Sequence, residues 1–333
     1  MPGPYIASKS KQRGSPMRTI TALFVGLGSI GTRHLKNLTN LCADRGWTLQ
    51  ADALRSDLSR PLRDGVAALL HAQYTDLADA PAHYDMVFIT NPTSLHADAL
   101  TRVRGRGGAL FIEKPIFSAD QTGLDLADCL PAGQKAYVAA PMRWCGVMLA
   151  LKDRLPGLHP YCARVICSSY LPDWRPGVDY RTVYSAHKAM GGGVTIDLIH
   201  EWDYLVELFG VPEKLYNFKG TYSDLEIDSD DLSVYIARYP TLLAEVHLDY
   251  FGRGYRRSIE LFCHDGSYLA DFGAGTLTLP DGTVQHYKED VNRRYEREME
   301  YFVDYALTGS GESCNPPALA LNVLKLTLGE NVQ

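Results

Sequence analysis

An apolar run over residues 20–25 ends in Gly26-Leu27-Gly28-Ser29-Ile30-Gly31 and passes straight into 30–41, where Ile30, Leu35, Leu38 and Leu41 recur at helical spacing. Few folds accommodate that order. A strand apolar at nearly every position must be covered on both faces, as in a parallel sheet. A strand that turns into a helix within six residues needs glycine where the backbone bends sharply or where two elements touch. Gly26 permits the turn, Gly28 leaves the backbone open to close approach, and Gly31 lets helix and strand pack. The alternation continues, with strands expected at 49–54, 86–90, 109–112 and 136–140. Helices are expected at 61–71, where Pro61 suits a first turn, and at 94–104 and 119–129.

Beyond residue 141 the pattern changes. A helix is expected at 147–155 and a strand at 162–170, followed by an irregular stretch over 171–190. Gly191-Gly192-Gly193 opens a helix at 194–209, which Gly210 and Pro212 end. Strand-like runs follow at 233–239, 242–250, 257–263, 268–272 and 276–279, with Asp265-Gly266 and Asp281-Gly282 as turn signals. Helices near 294–307 and 317–328 close the chain. The predicted fold is an α/β Rossmann domain, a doubly wound parallel sheet, over 17–140. An α+β domain over 141–333 follows, with one large, open, mainly antiparallel sheet. Residues 1–16, rich in Pro, Gly, Ser and Lys, are expected to be a disordered tail.

Composition narrows the partners. Lys and Arg number 33 and Asp and Glu 39, so the net charge is 33 − 39 = −6, which gives no general pull toward nucleic acid or an anionic membrane. No apolar run reaches the ~18 residues of a membrane span, and no apolar stretch follows the first basic residues as a signal peptide requires. The cysteines are seven in number and include no CxxC pair. Reduced thiols in the cytoplasm are therefore expected, with neither a disulfide framework nor a metal site.

The amides at the start of the first helix suit a diphosphate, so the turn predicts a dinucleotide. Gly26, Gly28, Ser29, Ile30, Gly31 and Arg33 are candidate cofactor residues. If the second strand runs to Leu54, Arg55 and Ser56 stand at its end, where a 2′-phosphate would be met, and NADP is favoured. If it ends earlier, Asp52 would read the ribose of NAD. Thr90, Asn91, Pro92 and His96 lie at the exit of the strand at 86–90 and are expected to line the cofactor; Thr93 or Ser94 could equally cap the following helix.

Two further motifs carry chemistry. Glu113-Lys114-Pro115 stands at the end of a buried strand, where open α/β sheets bind ligands, and an ammonium there can hold developing alkoxide charge. Asp197 and His200, spaced i, i+3, share one helix stripe, opposite an apolar side made by Ile199, Trp202, Leu205, Val206 and Phe209. Alone, such a pair reads as polar residues on a helix surface, and it lacks the further ligands of a zinc site.

Taken in order, GLGSIGTRH, Asn91-Pro92-Thr93, Glu113-Lys114-Pro115 and Gly192-Gly193-Val194-Thr195-Ile196-Asp197-Leu198-Ile199-His200-Glu201 resemble the Gfo/Idh/MocA oxidoreductases, the glucose–fructose oxidoreductase and inositol dehydrogenase family. The resemblance implies an NAD(P)-dependent enzyme moving a hydride to or from a hydroxyl or ketone carbon of a sugar, amino sugar or sugar nucleotide, in surface-polysaccharide metabolism. It implies Lys114, Asp197 and His200 as the catalytic set, Glu113 on the cofactor ribose, a cis bond before Pro115, and a homodimer or homotetramer paired through the open sheet. Arg55-Ser56 departs from the acid that many relatives carry. The alternatives are an imine or biliverdin-like reductase, and an NAD(P)-binding regulator without turnover. The stretch 170–188 is rich in aromatic and basic residues, and long irregular loops are often functional. Trp174, Arg175, Tyr180, Arg181 and Lys188, with Arg143, are therefore candidate substrate contacts.

Overall fold

The computed structural model describes residues 18–332, so the expected tail lies outside the described residues. Contacts divide the chain into two compact units. The first runs through Glu113 and takes in Asp125–Ala139 and Tyr295–Pro316; the second comprises Lys114–Leu124, Ala140–Arg294 and the chain from Pro317. This differs from a linear division at 140/141 because the chain re-enters the first unit through a late helix.

In the first unit, strands β1 (Thr19–Val25), β2 (Thr48–Leu54), β3 (Ala72–Tyr74), β4 (Tyr84–Ile89), β5 (Gly107–Ile112) and β6 (Lys135–Val138) form a parallel sheet in the order β3-β2-β1-β4-β5-β6. Helices α1 (Ser29–Asp44), α2 (His96–Arg102) and α3 (Leu126–Cys129) connect them. Phe24 stacks on Phe88 at 4.4 Å between ring centres, and Phe88 on Phe111 at 5.3 Å. The helix Asn292–Thr308 seals this row: Phe302 sets its edge against Phe88 at 5.4 Å and Phe111 at 5.1 Å.

The helix expected at 61–71 is absent. Gly65 adopts φ +75°, a left-handed residue that stops helix propagation, and only a short 3-10 turn forms at Ala67–Leu69. The helix expected at 119–129 is likewise split. Ser118 and Gln121 cap a single 3-10 turn, and Asp125 caps α3 anew by accepting from the Ala127 N–H.

In the second unit, β7 (Cys162–Tyr170), β8 (Lys214–Gly220), β9 (Leu232–Arg238), β10 (Leu243–Asp249), β11 (Phe251–Cys263), β12 (Gly266–Asp271), β13 (Thr276–Thr278) and β14 (Val284–His286) form one open sheet. Its order is β14-β13-β12-β11-β7-β10-β9-β8, antiparallel except for β7 beside β10. The fold class is thus the one expected, with β8 and β14 as additional edge strands. Helices α4 (Gly146–Arg154), α5 (Val194–Asp197) and α6 (His200–Phe209) complete the unit with the C-terminal helix Pro317–Thr327. One sheet face is buried: Trp202 of α6 sets its edge on Tyr235 at 5.2 Å, and the Tyr235 hydroxyl donates to the Thr327 carbonyl at 2.6 Å. The other face exposes Tyr216, Phe218, Ile236 and Leu243.

If the row of stacked rings is the keystone of the first unit, Phe302→Ala should destabilise the protein by about 3–5 kcal/mol in urea unfolding, the cost of a large buried aromatic. A loss below about 1 kcal/mol would show that the late helix does not seal the sheet.

Candidate active site

The glycine turn is built by close approach. Gly26 has φ +89°, and a Cβ there would stand 2.9 Å from Asn91 Cα. Thr90 Oγ1 donates to the Gly26 carbonyl at 2.6 Å, and a Cβ on Gly31 would lie 2.6 Å from that carbonyl and 2.7 Å from Thr90 Oγ1. Gly28 faces open space, with nothing within 4 Å of a Cβ. It is also the N-cap of α1, so no side chain occupies the first amides, and no acidic residue lies in the first turn. Open space before uncapped, positively polarised amides is what a diphosphate requires, so these residues fit a dinucleotide.

Around this turn the structure sorts the sequence candidates. Ser29 Oγ accepts from Arg63 Nη1 at 3.4 Å. Arg33 lies over the Tyr295 ring at 4.6 Å. β2 runs to Leu54, and Asp52 is buried, accepting from the Tyr84 hydroxyl at 2.8 Å and pairing with His71 Nδ1 at 3.1 Å. Both Asp52 carboxylate oxygens are thus taken up by protein partners. Arg55 stands at the strand end with Ser56 exposed beside it; its guanidinium donates to Gln73 Oε1 at 2.8 Å and to the Arg60 carbonyl. Thr90 and His96 are interior: Thr90 serves the turn, and His96, fully buried, pairs with the Asn91 carbonyl at 3.1 Å. Both are held by the strand exit, whereas Asn91 and Pro92 are accessible. Glu113 is buried against His34, with Oε1 2.6 Å from Nε2. His34, the last residue of the GLGSIGTRH motif, thereby gains a partner that spacing alone did not suggest.

Lys114, Asp197 and His200 all belong to the second unit, and the Lys114–Pro115 bond is cis. The helix expected over 194–209 is broken at Leu198-Ile199, so Asp197 ends α5 and His200 begins α6. Gly192 and Gly193 explain the local geometry. A Cβ at Gly192 would collide with the Tyr184 carbonyl, and Gly193 at φ +130° packs on the Asp230 carboxylate, which accepts from the Thr195 N–H at 2.9 Å and from the Thr195 hydroxyl. That close approach delivers Tyr184 and Ser185 to Asp197. Tyr184 donates to Oδ1 at 2.8 Å, and Ser185 and Tyr250 each donate to Oδ2 at 2.6 Å. Neither the role of these hydroxyls nor Tyr250 was visible in sequence, because Tyr250 is 53 residues from its partner.

Burial, followed by the positive charges of Lys114, Arg257 and Arg294, holds the His200 imidazole well below its usual value of 6.5. These surroundings favour the uncharged ring at neutral pH. Its neighbour Glu201 is fully buried and receives Arg257 Nε at 2.7 Å and Nη2 at 3.1 Å, tying the start of α6 to β11.

Several expected substrate contacts are already engaged. Arg143 is 3% exposed and donates to Asp203 at 2.7 and 2.9 Å and to Glu207 at 2.6 Å, a buried brace instead of an anion receptor. Arg181 clasps Asp179 at 2.9 and 3.0 Å and Glu226 at 3.1 Å, which pushes its pKa further up. The Tyr180 hydroxyl accepts from the Glu226 N–H at 3.1 Å. Trp174, with its indole N–H on Ser169 Oγ at 3.0 Å, and Arg175 and Lys188 keep exposed surface on the loop. Among the described residues, no group of three or more His, Cys, Asp or Glu side chains could hold a metal ion.

Residues 20–138 match the family described as "Oxidoreductase family, NAD-binding Rossmann fold", Gfo/Idh/MocA. No curated protein matches the chain in sequence. Among solved structures, levoglucosan dehydrogenase in complex with NADH and levoglucosan aligns with a TM-score of 0.79 at 14% identity, over 94% of this chain and 96% of the other. The WlbA dehydrogenase from Bordetella pertussis, in complex with NADH and UDP-GlcNAcA, aligns with a TM-score of 0.71 at 19% identity, over 94% and 95%. UDP-N-acetylglucosamine 3-dehydrogenase GnnA from Acidithiobacillus ferrooxidans aligns with a TM-score of 0.67 at 18% identity, over 94% and 96%. At these identities the likeness carries the fold. Residues 20–138 are thus an NAD-binding Rossmann domain of the Gfo/Idh/MocA oxidoreductase type.

Proposed function

We propose that the protein is an NADP-preferring dehydrogenase or reductase acting at a hydroxyl or ketone carbon of a sugar, amino sugar or sugar nucleotide, in surface-polysaccharide metabolism. The observation that carries this reading is the combination, in one unit, of an ammonium, a hydroxyl-bound carboxylate and an imidazole kept neutral by its surroundings. Solved structures of the same fold include dehydrogenases holding NADH with levoglucosan or with UDP-GlcNAcA, which supports a sugar-type substrate.

Bound NAD(P) supplies or takes up the hydride. Lys114 donates a hydrogen bond to the reacting oxygen and stabilises negative charge that develops there. His200, uncharged at neutral pH, accepts the carbinol proton during oxidation and returns it during reduction. Asp197 accepts a hydrogen bond from the substrate and so orients it. The NADP preference rests on Arg55 at the end of β2 and on the removal of Asp52 into the interior. Arg63, next to Ser29, adds positive charge at the same end of the turn. The exposed apolar side chains Tyr216, Phe218, Ile236 and Leu243 support a homodimer or homotetramer formed through the open sheet face. No disulfide forms among the cysteines of the described residues, which suits a reducing, cytoplasmic setting.

Following absorbance at 340 nm with NADP or NAD and a panel of sugars and sugar nucleotides tests the reading. Lys114→Ala and His200→Ala should each lower kcat about 10²–10⁴-fold with dinucleotide affinity unchanged. Unaltered kcat in both variants would remove them from the chemistry. The His200 environment also fixes a sign for stability. Below pH 6.5 the unfolded chain takes up a proton that the folded protein refuses, so stability falls as the pH drops through that range. His200→Asn should flatten this slope in melting temperatures measured between pH 5 and 8. An unchanged slope would show that His200 is not held neutral.

A further inference from the structure

Asp197 is surrounded by donors that the glycine run and the loop bring to it. An ionised carboxylate offers about four acceptor positions. Ser185 and Tyr250 fill both positions on Oδ2, and Tyr184 fills one on Oδ1. Burial and the Asp197 charge push the ionisation of both phenols upward, so Tyr184 and Tyr250 remain O–H donors. Each donor is itself fixed. Tyr250 is fully buried; its N–H donates to the Asp231 carbonyl at 3.0 Å, and its carbonyl accepts from the Leu171 N–H at 2.9 Å. Ser185 is 2% exposed, and its carbonyl accepts from Ser229 Oγ at 2.7 Å. The loop reaches the same cluster through its rings: Trp174 sets its edge on Tyr250 at 5.2 Å, and Arg175 lies over Tyr184 at 5.8 Å.

We propose that Tyr184, Ser185 and Tyr250 are positioning residues that lock the Asp197 carboxylate in one orientation and leave one acceptor position, on Oδ1, for an O–H or N–H donor of the substrate. This rests on Asp197 acting as the substrate-orienting group. It narrows the substrate: beside the reacting carbon stands a hydroxyl or an acylamino N–H, since a carboxylate or phosphate oxygen there would be repelled by Oδ1. It also gives the loop at 171–190 a second task, because Trp174 and Arg175 pack on the hydroxyl-bearing rings.

Crystal structures of Tyr250→Phe and of Tyr250→Phe/Ser185→Ala test the lock without any need for substrate. The carboxylate is expected to turn or to occupy two rotamers once Oδ2 loses its donors; an unmoved, singly ordered Asp197 in the double variant overturns the proposal. Kinetics form the second arm, using the sugar that the 340 nm assay identifies. Tyr250→Phe should lower kcat/KM roughly 10- to 100-fold, as a displaced orienting group does, with dinucleotide affinity unchanged. Placed in an Asp197→Asn background, the same change should add less than about twofold, because its effect runs through Asp197. A full additional loss would mark Tyr250 as merely structural and overturn the proposal. Wild-type turnover in Asp197→Asn alone would instead reject the reading of the site, leaving the crystallographic arm to decide the lock.

Discussion

The carbonyl of Gly26, held by the Thr90 hydroxyl at 2.6 Å and lying where any Cβ on Gly31 would have to go, is the contact on which the first unit depends. It presses α1 onto the neighbouring strands β1 and β4 and aims the helix's first amides into open space before Gly28. Glycine is demanded twice for opposite reasons, once because there is no room and once because room must be kept. The same crowding explains why Thr90 and His96 serve the scaffold. Residues next to a tight turn are used up in making it, and the backbone amides before Gly28 stay open.

The second unit repeats the device with different chemistry. Gly192 and Gly193 let backbone and carboxylate come close, and the result is a side-chain site instead of an amide site. Two buried ion pairs then fasten α6, Arg257 with Glu201 at its first turn and Arg143 with Asp203 and Glu207 farther along. Such pairs add little net stability because both charges are desolvated, yet losing one partner strands the other, which makes them effective at fixing geometry. They frame a helix start at which burial and nearby cations disfavour the charged form of His200.

Much of this was legible in the residues. Continuous apolar strands and the glycine spacing led to the parallel sheet, and alternating runs joined by Asp-Gly turns led to the open antiparallel one. Misread elements have local physical causes. Residues 61–71 carry Pro61 and an apolar pattern that suit a helix, but Gly65 takes a left-handed conformation and Val66 alone among 66–70 is fully buried. β8 lies at a sheet edge with Tyr216 and Phe218 exposed, so its alternation lacks the usual polar outer face. The break at Leu198-Ile199 interrupts an unbroken apolar helical pattern, and it coincides with the hydroxyls gathered on Asp197. Of the proposed site, Lys114, Asp197 and His200 stand out by motif, whereas nothing in the sequence shows that Arg143 and Arg181 have acidic partners. Asp203 and Glu207 lie 60 and 64 residues from Arg143 and meet it only in the fold, and Arg181 adds Glu226, 45 residues away, to its local partner Asp179.

Titrating the folded protein with NADPH and with NADH, followed by nicotinamide fluorescence, addresses the core of the account most directly. Saturable binding is predicted for both, tighter for NADPH, with that preference diminished in Arg55→Ala. Absence of saturable binding by either nucleotide to folded protein would contradict it.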